Sequence, residues 1–293
     1  ILLFKTTLKI VKYFFQFLFF VIFFFLFKIL GFKISSAIGG KLFEIIGPIF
    51  RSKKLIDTNI KKAVPNINSE DLKKTTRLMW NNYGRIFAEY VFIKSFRNGK
   101  LNSRISIEGQ DILEEIKKLN QQVVFISGHF SNFELMAMHL EKVGIKLTAI
   151  YRPLNNIFLN IIMENIRKKY ICKNQIKKGI GGMKKIIHLK RQNYSTALMI
   201  DQRVSEGIRS NFFNNLALTT TIPAQLVKKF KIPVVPIFIE RVNNLNFKIT
   251  VSKPINFTDS DSIEKITDDL NKVLETMILH KPEQWIWSHN RWK

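Results

Sequence analysis

The hydrophobic pattern begins with a long apolar run near the amino end. Tyr13–Phe27 reads YFFQFLFFVIFFFLF, with Gln16 as its one polar position, and Lys12 and Lys28 border it. The run is shorter than the roughly 20 residues of a membrane-spanning helix, but lysines at its ends can extend the span by snorkelling. We therefore predict an N-terminal transmembrane helix that makes residues 1–33 a membrane anchor.

A cleaved signal peptide is the alternative interpretation of this run. Against it, no small-residue cleavage site follows the apolar stretch immediately. Lysines lie on both sides of the run, so the positive-inside rule orients the anchor only weakly.

Two further regions follow the anchor. Residues 34–97 have apolar positions at helical spacing, with Ser69 and Asp71 as candidate capping residues, and are predicted to be helical. From residue 98 onward, short apolar runs alternate with helical segments. The predicted strands are 105–107, 123–127, 147–151, 197–200, 234–240 and 247–251. The predicted helices are 111–119, 131–143, 155–169, 180–191, 222–230 and 261–280.

Strands that alternate with helices indicate an α/β fold. We expect residues 98–293 to form one such domain, with a central mixed, largely parallel sheet flanked by helices.

Composition narrows the class of protein. Of 293 residues, 46% are hydrophobic and 24% charged, which favours a folded domain over a disordered chain. The single cysteine, Cys172, cannot form an internal disulfide, and no paired Cys/His spacing indicates a zinc site. The net charge of +25 points to an anionic partner such as nucleic acid, anionic lipid or an acidic protein, unless the lysine excess reflects biased composition.

The sharpest local motif lies at residues 123–134. A buried-type strand runs through Gly128 into His129, which places the histidine just past the carboxyl end of the strand, where open α/β sheets bind ligands. If Ser131 or a neighbour caps the next helix, Glu134 lies in its first turn and points back toward His129. A neutral imidazole can then accept a proton while the carboxylate orients it.

The alternative for this motif is structural. Ser131-x-x-Glu134 is also a capping box, in which Glu134 would only accept a hydrogen bond from the Ser131 amide. No Gly-x-Ser-x-Gly motif is present and Cys172 lies in a lysine-rich stretch, so an acyl-enzyme intermediate is disfavoured. His129 is better suited to act as a base for an external hydroxyl.

Several motifs in this order resemble the late acyltransferases of lipid A biosynthesis, the lauroyl and myristoyl transferases within the wider lysophospholipid-type acyltransferases. The matching motifs are His129-x4-Glu134, Tyr151-Arg152-Pro153 with Asn155-Asn156, Asp201-Gln202, Phe212-Phe213, Thr219-Thr220 and the end at residues 282–293. They cover about residues 100–293. Ile200, Asn290 and Trp292 depart from the family pattern of Pro, Arg and Phe.

The resemblance implies transfer of a fatty acyl chain from acyl carrier protein to a hydroxyl of a Kdo-bearing lipid A precursor. It implies no cofactor, no metal and no covalent intermediate, with His129 as base and Glu134 as its partner. The expected partners are acyl carrier protein, a glycolipid acceptor and the membrane, with no nucleic acid. The expected location is the cytoplasmic face of the bacterial inner membrane.

Four further residues are candidates for substrate binding. Arg152 follows a strand and suits a phosphate or an oxyanion, the alternative being a surface ion pair. Asp201 is expected to hold Arg152 or Arg203, or to cap a helix. Arg291 is expected either to contact lipid phosphate or to be solvated.

Charge is unevenly distributed. Residues 167–191 hold ten Lys or Arg and no acid, whereas residues 259–275 hold six acids and two lysines. A basic face suits an acidic carrier protein and an anionic membrane, although any single lysine is as readily explained as a solvated helix residue.

Three rival functions remain open at this point. A nucleic-acid-binding module would need aromatic and basic residues interleaved along a groove. A catalytically inactive lipid-binding scaffold would have lost His129 or Glu134, and both are present. The same chemistry on another glycolipid or lysophospholipid, such as a phosphatidylinositol mannoside, is not excluded.

Overall fold

The computed structural model of the chain describes residues 2–293; for residues 2–6, 180 and 183 it describes the backbone alone. Residue 1 of the predicted anchor lies outside the described residues. The helices are α1 Leu2–Phe50, α2 Lys53–Ala63, α3 Ser69–Glu89, α4 Ile93–Arg97, α5 Gln110–Lys118, α6 Glu134–Lys142, α7 Ile157–Ile166, α8 Ile180–Arg191, α9 Ile222–Phe230 and α10 Ile263–His280. The strands are β1 Ile105–Glu108, β2 Val124–Ser127, β3 Leu147–Tyr151, β4 Asn174–Lys177, β5 Ser195–Met199, β6 Ile208–Phe212, β7 Asn215–Thr219, β8 Val234–Val242 and β9 Asn246–Val251.

Within residues 2–293, seven strands form one sheet in the order β1-β9-β8-β2-β5-β3-β4. Only β8 and β9 pair antiparallel there; the other pairs are parallel. All four residues of β2 are buried, as expected of a central strand in a parallel sheet covered on both faces. The predicted mixed, largely parallel α/β sheet flanked by helices is confirmed.

Three strands escape the hydrophobic pattern. β4 reads Asn-Gln-Ile-Lys and lies at the edge of the sheet, where it pairs with a strand on one side only. Polar residues are common on such edge strands. β6 and β7 form a separate antiparallel hairpin. Its turn is made by Phe213 and Asn214, both at positive φ. Such a turn is usually predicted from an Asn-Gly pair, and Phe-Asn is a much weaker signal.

The long first helix bends at Gly31, where φ is 77° and a side chain would be strained. Its second half packs along α3 so closely that a Cβ on Gly84 would lie 1.9 Å from the carbonyl oxygen of Gly39. In its first half, Phe20, Phe24 and Phe27 pack on Phe87 of α3. One face of α1 is therefore attached to the rest of the protein.

The opposite face of α1 is apolar and exposed. Phe15, Phe25 and Ile29 are 64%, 67% and 66% exposed. Among the described residues, the segment Thr7–Phe50 is the one helix long and apolar enough to cross a membrane.

The helical region and the sheet share one hydrophobic core. That core includes Phe32 from α1, Trp80 from α3, Phe125 from β2 and Trp287 near the carboxyl end. α3 begins at the predicted Ser69, but its capping side chain is that of Asn68, which accepts from the Asp71 amide at 2.8 Å. The division of the chain at residues 33 and 97 stays a prediction.

Candidate active site

His129 and Asp201 lie at matching places on two neighbouring strands. In the register of the parallel pair β2 and β5, Ser127 is opposite Met199, and His129 and Asp201 each follow two residues later. The carboxyl ends of parallel strands meet at one sheet edge, so the two side chains face each other there. His129 Nδ1 lies 2.8 Å from Asp201 Oδ1.

Asp201 is fully buried and accepts three hydrogen bonds. Besides the His129 ring, its donors are the His129 backbone amide and the Trp285 indole, each 2.9 Å from Oδ2. Burial raises the pKa of Asp201, but the charge and hydrogen bonds of His129 outweigh burial and lower the pKa to about 2. The carboxylate is therefore ionised and holds the proton of the imidazole on Nδ1.

The same pair sets the basicity of His129. Burial lowers the pKa of the imidazole, but the charge and hydrogen bond of Asp201, aided by Glu134, raise it above the ordinary 6.5. With Nδ1 donating to Asp201, Nε2 carries the lone pair. The ring is 22% exposed and lines a cavity, so Nε2 is available as a base.

Glu134 does not orient His129. Its Oε1 accepts from Arg167 Nε at 2.7 Å and from Arg167 Nη2 at 2.5 Å. Because the orienting contact belongs to Asp201, the prediction that Glu134 is the hydrogen-bond partner of His129 is wrong. Its charge still reaches the imidazole and contributes to the raised pKa.

The capping-box alternative is wrong as well. The Ser131 amide donates to the Gln284 carbonyl at 3.1 Å, and α6 begins at Glu134 without a side-chain cap. Ser131 has a φ of 40°, in the left-handed region, whereas the first residue of a capping box has an extended backbone. Glu134 is left free to pair with Arg167.

The loop that carries His129 is fastened by a buried ion pair. Asn132, 1% exposed, donates to Glu89 Oε2 at 3.2 Å. Glu89, itself fully buried, binds Arg241 through both carboxylate oxygens, at 2.5 and 2.9 Å. Ser36 of α1 donates to the same carboxylate at 2.7 Å. The network thus joins α1, α3, β8 and the histidine loop.

The cavity beside His129 has a volume of about 470 Å³. Charged residues line it, among them Glu134, Arg152, Arg167 and Arg203. Its apolar wall is formed by Phe133, Ala137, Ile150, Ile171, Leu198 and Ile222, among others. The site thus combines a base with an apolar space suited to a hydrocarbon chain.

The predicted binding residues separate into two groups. Arg152 is exposed and lines the cavity, and so does Arg203, whose Nε donates to the Lys293 carbonyl at 2.9 Å. Asp201 holds His129 and neither arginine, so the expectation that it holds Arg152 or Arg203 is wrong.

Arg291 is not a surface contact for phosphate. It is fully buried and donates to the Leu218 carbonyl and to Thr219 Oγ1, both at 2.7 Å, while stacking on Phe212 at 4.8 Å. Burial lowers the pKa of its guanidinium to about 10. Arg291 ties the carboxyl end to the β6–β7 hairpin, and both expected roles, phosphate contact and solvated arginine, are wrong.

Two site residues were not singled out from the sequence. Arg167 is one of ten basic residues in a run, and nothing local distinguishes it from its neighbours. Trp285 falls in the aromatic end at residues 282–293, but its bond to Asp201 joins positions 84 residues apart. The described residues contain no group of three or more His, Cys, Asp or Glu that could hold a metal ion.

Fold and site together define a class of protein: an α/β protein with an exposed apolar N-terminal helix and a carboxylate-oriented histidine beside an apolar cavity. The chain belongs to the bacterial lipid A biosynthesis acyltransferase family, whose model matches residues 2–293. This confirms the resemblance seen in the sequence.

Individual relatives are distant. "Lipid A biosynthesis acyltransferase 2" of Shigella flexneri is 26% identical over 64% of this chain, and the match spans 60% of that protein's length. The palmitoleoyltransferase of lipid A biosynthesis from Escherichia coli (strain K12) is 20% identical over 90% of this chain and 86% of its own. The solved 1-acyl-sn-glycerophosphate acyltransferase PlsC of Thermotoga maritima has a TM-score of 0.42 and 12% identity, over 87% of this chain and 100% of that chain.

Proposed function

We propose that this protein transfers a fatty acyl chain from acyl carrier protein to a hydroxyl of a Kdo-bearing lipid A precursor. The observation that carries the proposal is the 2.8 Å hydrogen bond between His129 and a fully buried Asp201, at the wall of an apolar cavity. Family membership supports acyl transfer in lipid A biosynthesis. The donor, the acceptor and the roles of individual residues are our inference.

In the proposed reaction His129 acts as general base. Nε2 removes the proton of the acceptor hydroxyl as its oxygen attacks the thioester carbonyl carbon. The tetrahedral intermediate collapses with cleavage of the C–S bond, and the imidazolium returns the proton to the thiolate that leaves. The products are the acyl ester and the free thiol of the carrier. Asp201 stabilises the imidazolium formed between the two steps.

Arg167 is the proposed stabiliser of negative charge on the intermediate. Burial lowers the pKa of its guanidinium, but the charge of Glu134 outweighs burial and raises it, so the group stays a cation. Arg167 lines the same cavity as His129 and its charge reaches the imidazole. Glu134 thus positions Arg167 in this proposal. A fixed cation in a partly dry site is well suited to a developing oxyanion.

Membrane attachment is proposed to come from α1, placing the catalytic domain on the cytoplasmic face of the bacterial inner membrane. Exposed phenylalanines on the outer face of α1 support lipid contact. Exposed Lys178, Lys184 and Lys185 are candidates for contact with the acidic carrier protein, and Lys178 also lines the cavity. Arg167 and the buried Lys190 do not belong to such a surface.

The test is mass spectrometry of products made by the purified full chain from a panel of acyl carrier thioesters and a Kdo-lipid A precursor. We expect a product heavier by one acyl group, absent in His129→Ala. Acylation of a lysophospholipid or a phosphatidylinositol mannoside instead would show that the acceptor is not a Kdo-bearing lipid A precursor. No transfer to any of these acceptors, with folded protein, would favour an inactive lipid-binding scaffold.

A further inference from the structure

Helix α7 is apolar, yet none of its side chains is fully buried. Its apolar residues are Ile157, Phe158, Leu159, Ile161, Ile162, Met163 and Ile166. None of its ten residues, all of them in the described part of the chain, is buried. Ile157 and Ile161, one turn apart, are 52% and 63% exposed, and Leu154 just before the helix is 39% exposed. A soluble helix normally turns such residues inward, so this face lacks its partner.

The start of α7 is attached directly to α1. Asn156 caps α7 by accepting from the Phe158 and Leu159 amides, and the same side chain donates to the Tyr13 carbonyl of α1 at 2.8 Å. The Phe158 ring packs against Phe14 and Phe17 at 5.9 and 5.8 Å. The exposed face of α7 is therefore continuous with the exposed apolar face of α1.

We propose that α7, together with Leu154, is a second membrane-contacting element that seats the mouth of the cavity against the lipid surface. The proposal rests on the membrane attachment through α1 proposed above. The occupant of the α7 face is lipid, because the face adjoins the one helix of the described chain that is long and apolar enough for a bilayer.

Charge next to α7 favours a lipid surface over an apolar protein partner. Lys168 and Lys169 follow the helix and are exposed. An apolar helix face bordered by lysines is typical of segments that lie in the interface of an anionic membrane.

The cavity explains what the contact accomplishes. Leu154, on the exposed apolar surface, also lines the cavity that holds His129, as does Arg152 two residues earlier. Insertion of Leu154 and α7 into the outer part of the bilayer brings the cavity mouth to the lipid. An acceptor anchored by its acyl chains then reaches His129 without leaving the membrane.

Depth-dependent fluorescence quenching tests the contact. Ile22, Ile161 and Leu216 are each replaced by Cys in the full chain and labelled with nitrobenzoxadiazole; the parent chain, whose Cys172 is buried, measures background labelling. Leu216 is the matched control, 63% exposed like Ile161 but on the β6–β7 hairpin. The proteins are reconstituted in vesicles of phosphatidylethanolamine and phosphatidylglycerol containing spin-labelled lipid, and aqueous iodide serves as the second quencher.

We expect spin-labelled lipid to quench the probes at 22 and 161, and iodide to quench the probe at 216. Iodide quenching at 161 with lipid quenching at 22 overturns the α7 contact and leaves the anchor intact. Iodide quenching at both positions overturns the membrane attachment itself. Protection at 161 from both quenchers shows a second protein copy or another chain on this face, and overturns the lipid assignment.

Activity supplies an independent readout. In Ile157→Asn with Ile161→Asn, we expect transfer to vesicle-embedded acceptor to fall at least about tenfold, because two aliphatic side chains no longer insert into the lipid. Transfer to detergent-dispersed acceptor should be unchanged, because neither residue lines the cavity. If the ratio of the variant's rate to the parent's rate is the same for the two acceptor forms, the proposal is overturned.

Discussion

Asp201, 72 residues after His129 in the chain, holds the His129 imidazole at 2.8 Å from one carboxylate oxygen and the His129 backbone amide at 2.9 Å from the other. One carboxylate therefore fixes both the ring and the backbone of the histidine. The Trp285 indole completes the arrangement. With its oxygens so engaged, Asp201 determines which imidazole nitrogen carries the proton.

The first prediction concerns Asp201→Asn. An amide cannot stabilise the imidazolium and favours the wrong tautomer, so acyl transfer should fall by about 10⁴-fold. Asp268→Asn is the control, since Asp268 also accepts two hydrogen bonds, from the hydroxyl of the buried Ser210 and from the Asn211 amide, but does not line the cavity. Steady-state rates of both variants give the comparison. A near-native rate for Asp201→Asn would remove Asp201 from the mechanism.

The second prediction is a pH dependence. The base must be neutral, and the pKa of His129 is raised above 6.5 by Asp201, so kcat/KM should fall as pH decreases through a value above 6.5. In Asp201→Asn, burial dominates and lowers the pKa of the imidazole. The acid limb should then move to lower pH. Profiles of kcat/KM against pH for both proteins measure the shift, and an acid limb that does not move would contradict the assigned base.

The third prediction tests whether Glu134 acts by positioning Arg167 rather than by orienting His129. Glu134→Gln leaves the partly buried Arg167 charge without its partner, which should cost about 3 kcal/mol of the free energy of unfolding. Adding Arg167→Met should recover most of that stability but not the rate of acyl transfer. Denaturant unfolding and initial rates are the measurements.

The control for this cycle is Glu141→Gln, on the same helix and also paired with an arginine, Arg97 at 3.0 Å, but outside the cavity. We expect it to keep full activity. Unchanged stability in Glu134→Gln would show that the pair with Arg167 contributes little.

The fourth prediction concerns the buried pair of Glu89 and Arg241. Removing one charge, in Glu89→Gln, should destabilise the protein by about 3–5 kcal/mol, because the remaining buried charge loses its partner. Glu89→Gln combined with Arg241→Met should regain part of this loss. The same chemical denaturation measures both, and a loss well below 1 kcal/mol would indicate that water reaches the site.

The fifth prediction concerns membrane attachment. Deleting residues 1–33 would uncover the core, since Phe27 and Phe32 are buried, so substitution of the exposed face is the better test. The variant replaces exposed apolar residues of α1 by serine: Phe15, Phe19, Ile22 and Phe25. It should move from the carbonate-resistant membrane pellet toward the soluble fraction. Serine at Leu119, Leu216 and Leu279, all exposed elsewhere, should leave the protein in the pellet.

Features that depend on spacing along the chain were determined by the sequence itself. The apolar run at residues 13–27, the alternation of strands and helices after residue 98 and the place of His129 at a strand end all follow from local periodicity. Motifs in family order identified the acyltransferase family. The edge strand β4 and the β6–β7 hairpin were missed because their patterns are polar or their turn residues unusual.

Side-chain pairing was decided only by the tertiary structure. Glu134 has two candidate partners nearby in sequence, His129 and the Ser131 amide, yet it binds Arg167, 33 residues away. The positive φ of Ser131 turns the loop, and His129 Nδ1 is already hydrogen-bonded to Asp201. Arg291 looks like a solvated tail residue but is buried against β7, 73 residues away. Such pairs depend on which strands are neighbours and in which register, and that is set by packing of the whole sheet rather than by any local run of residues.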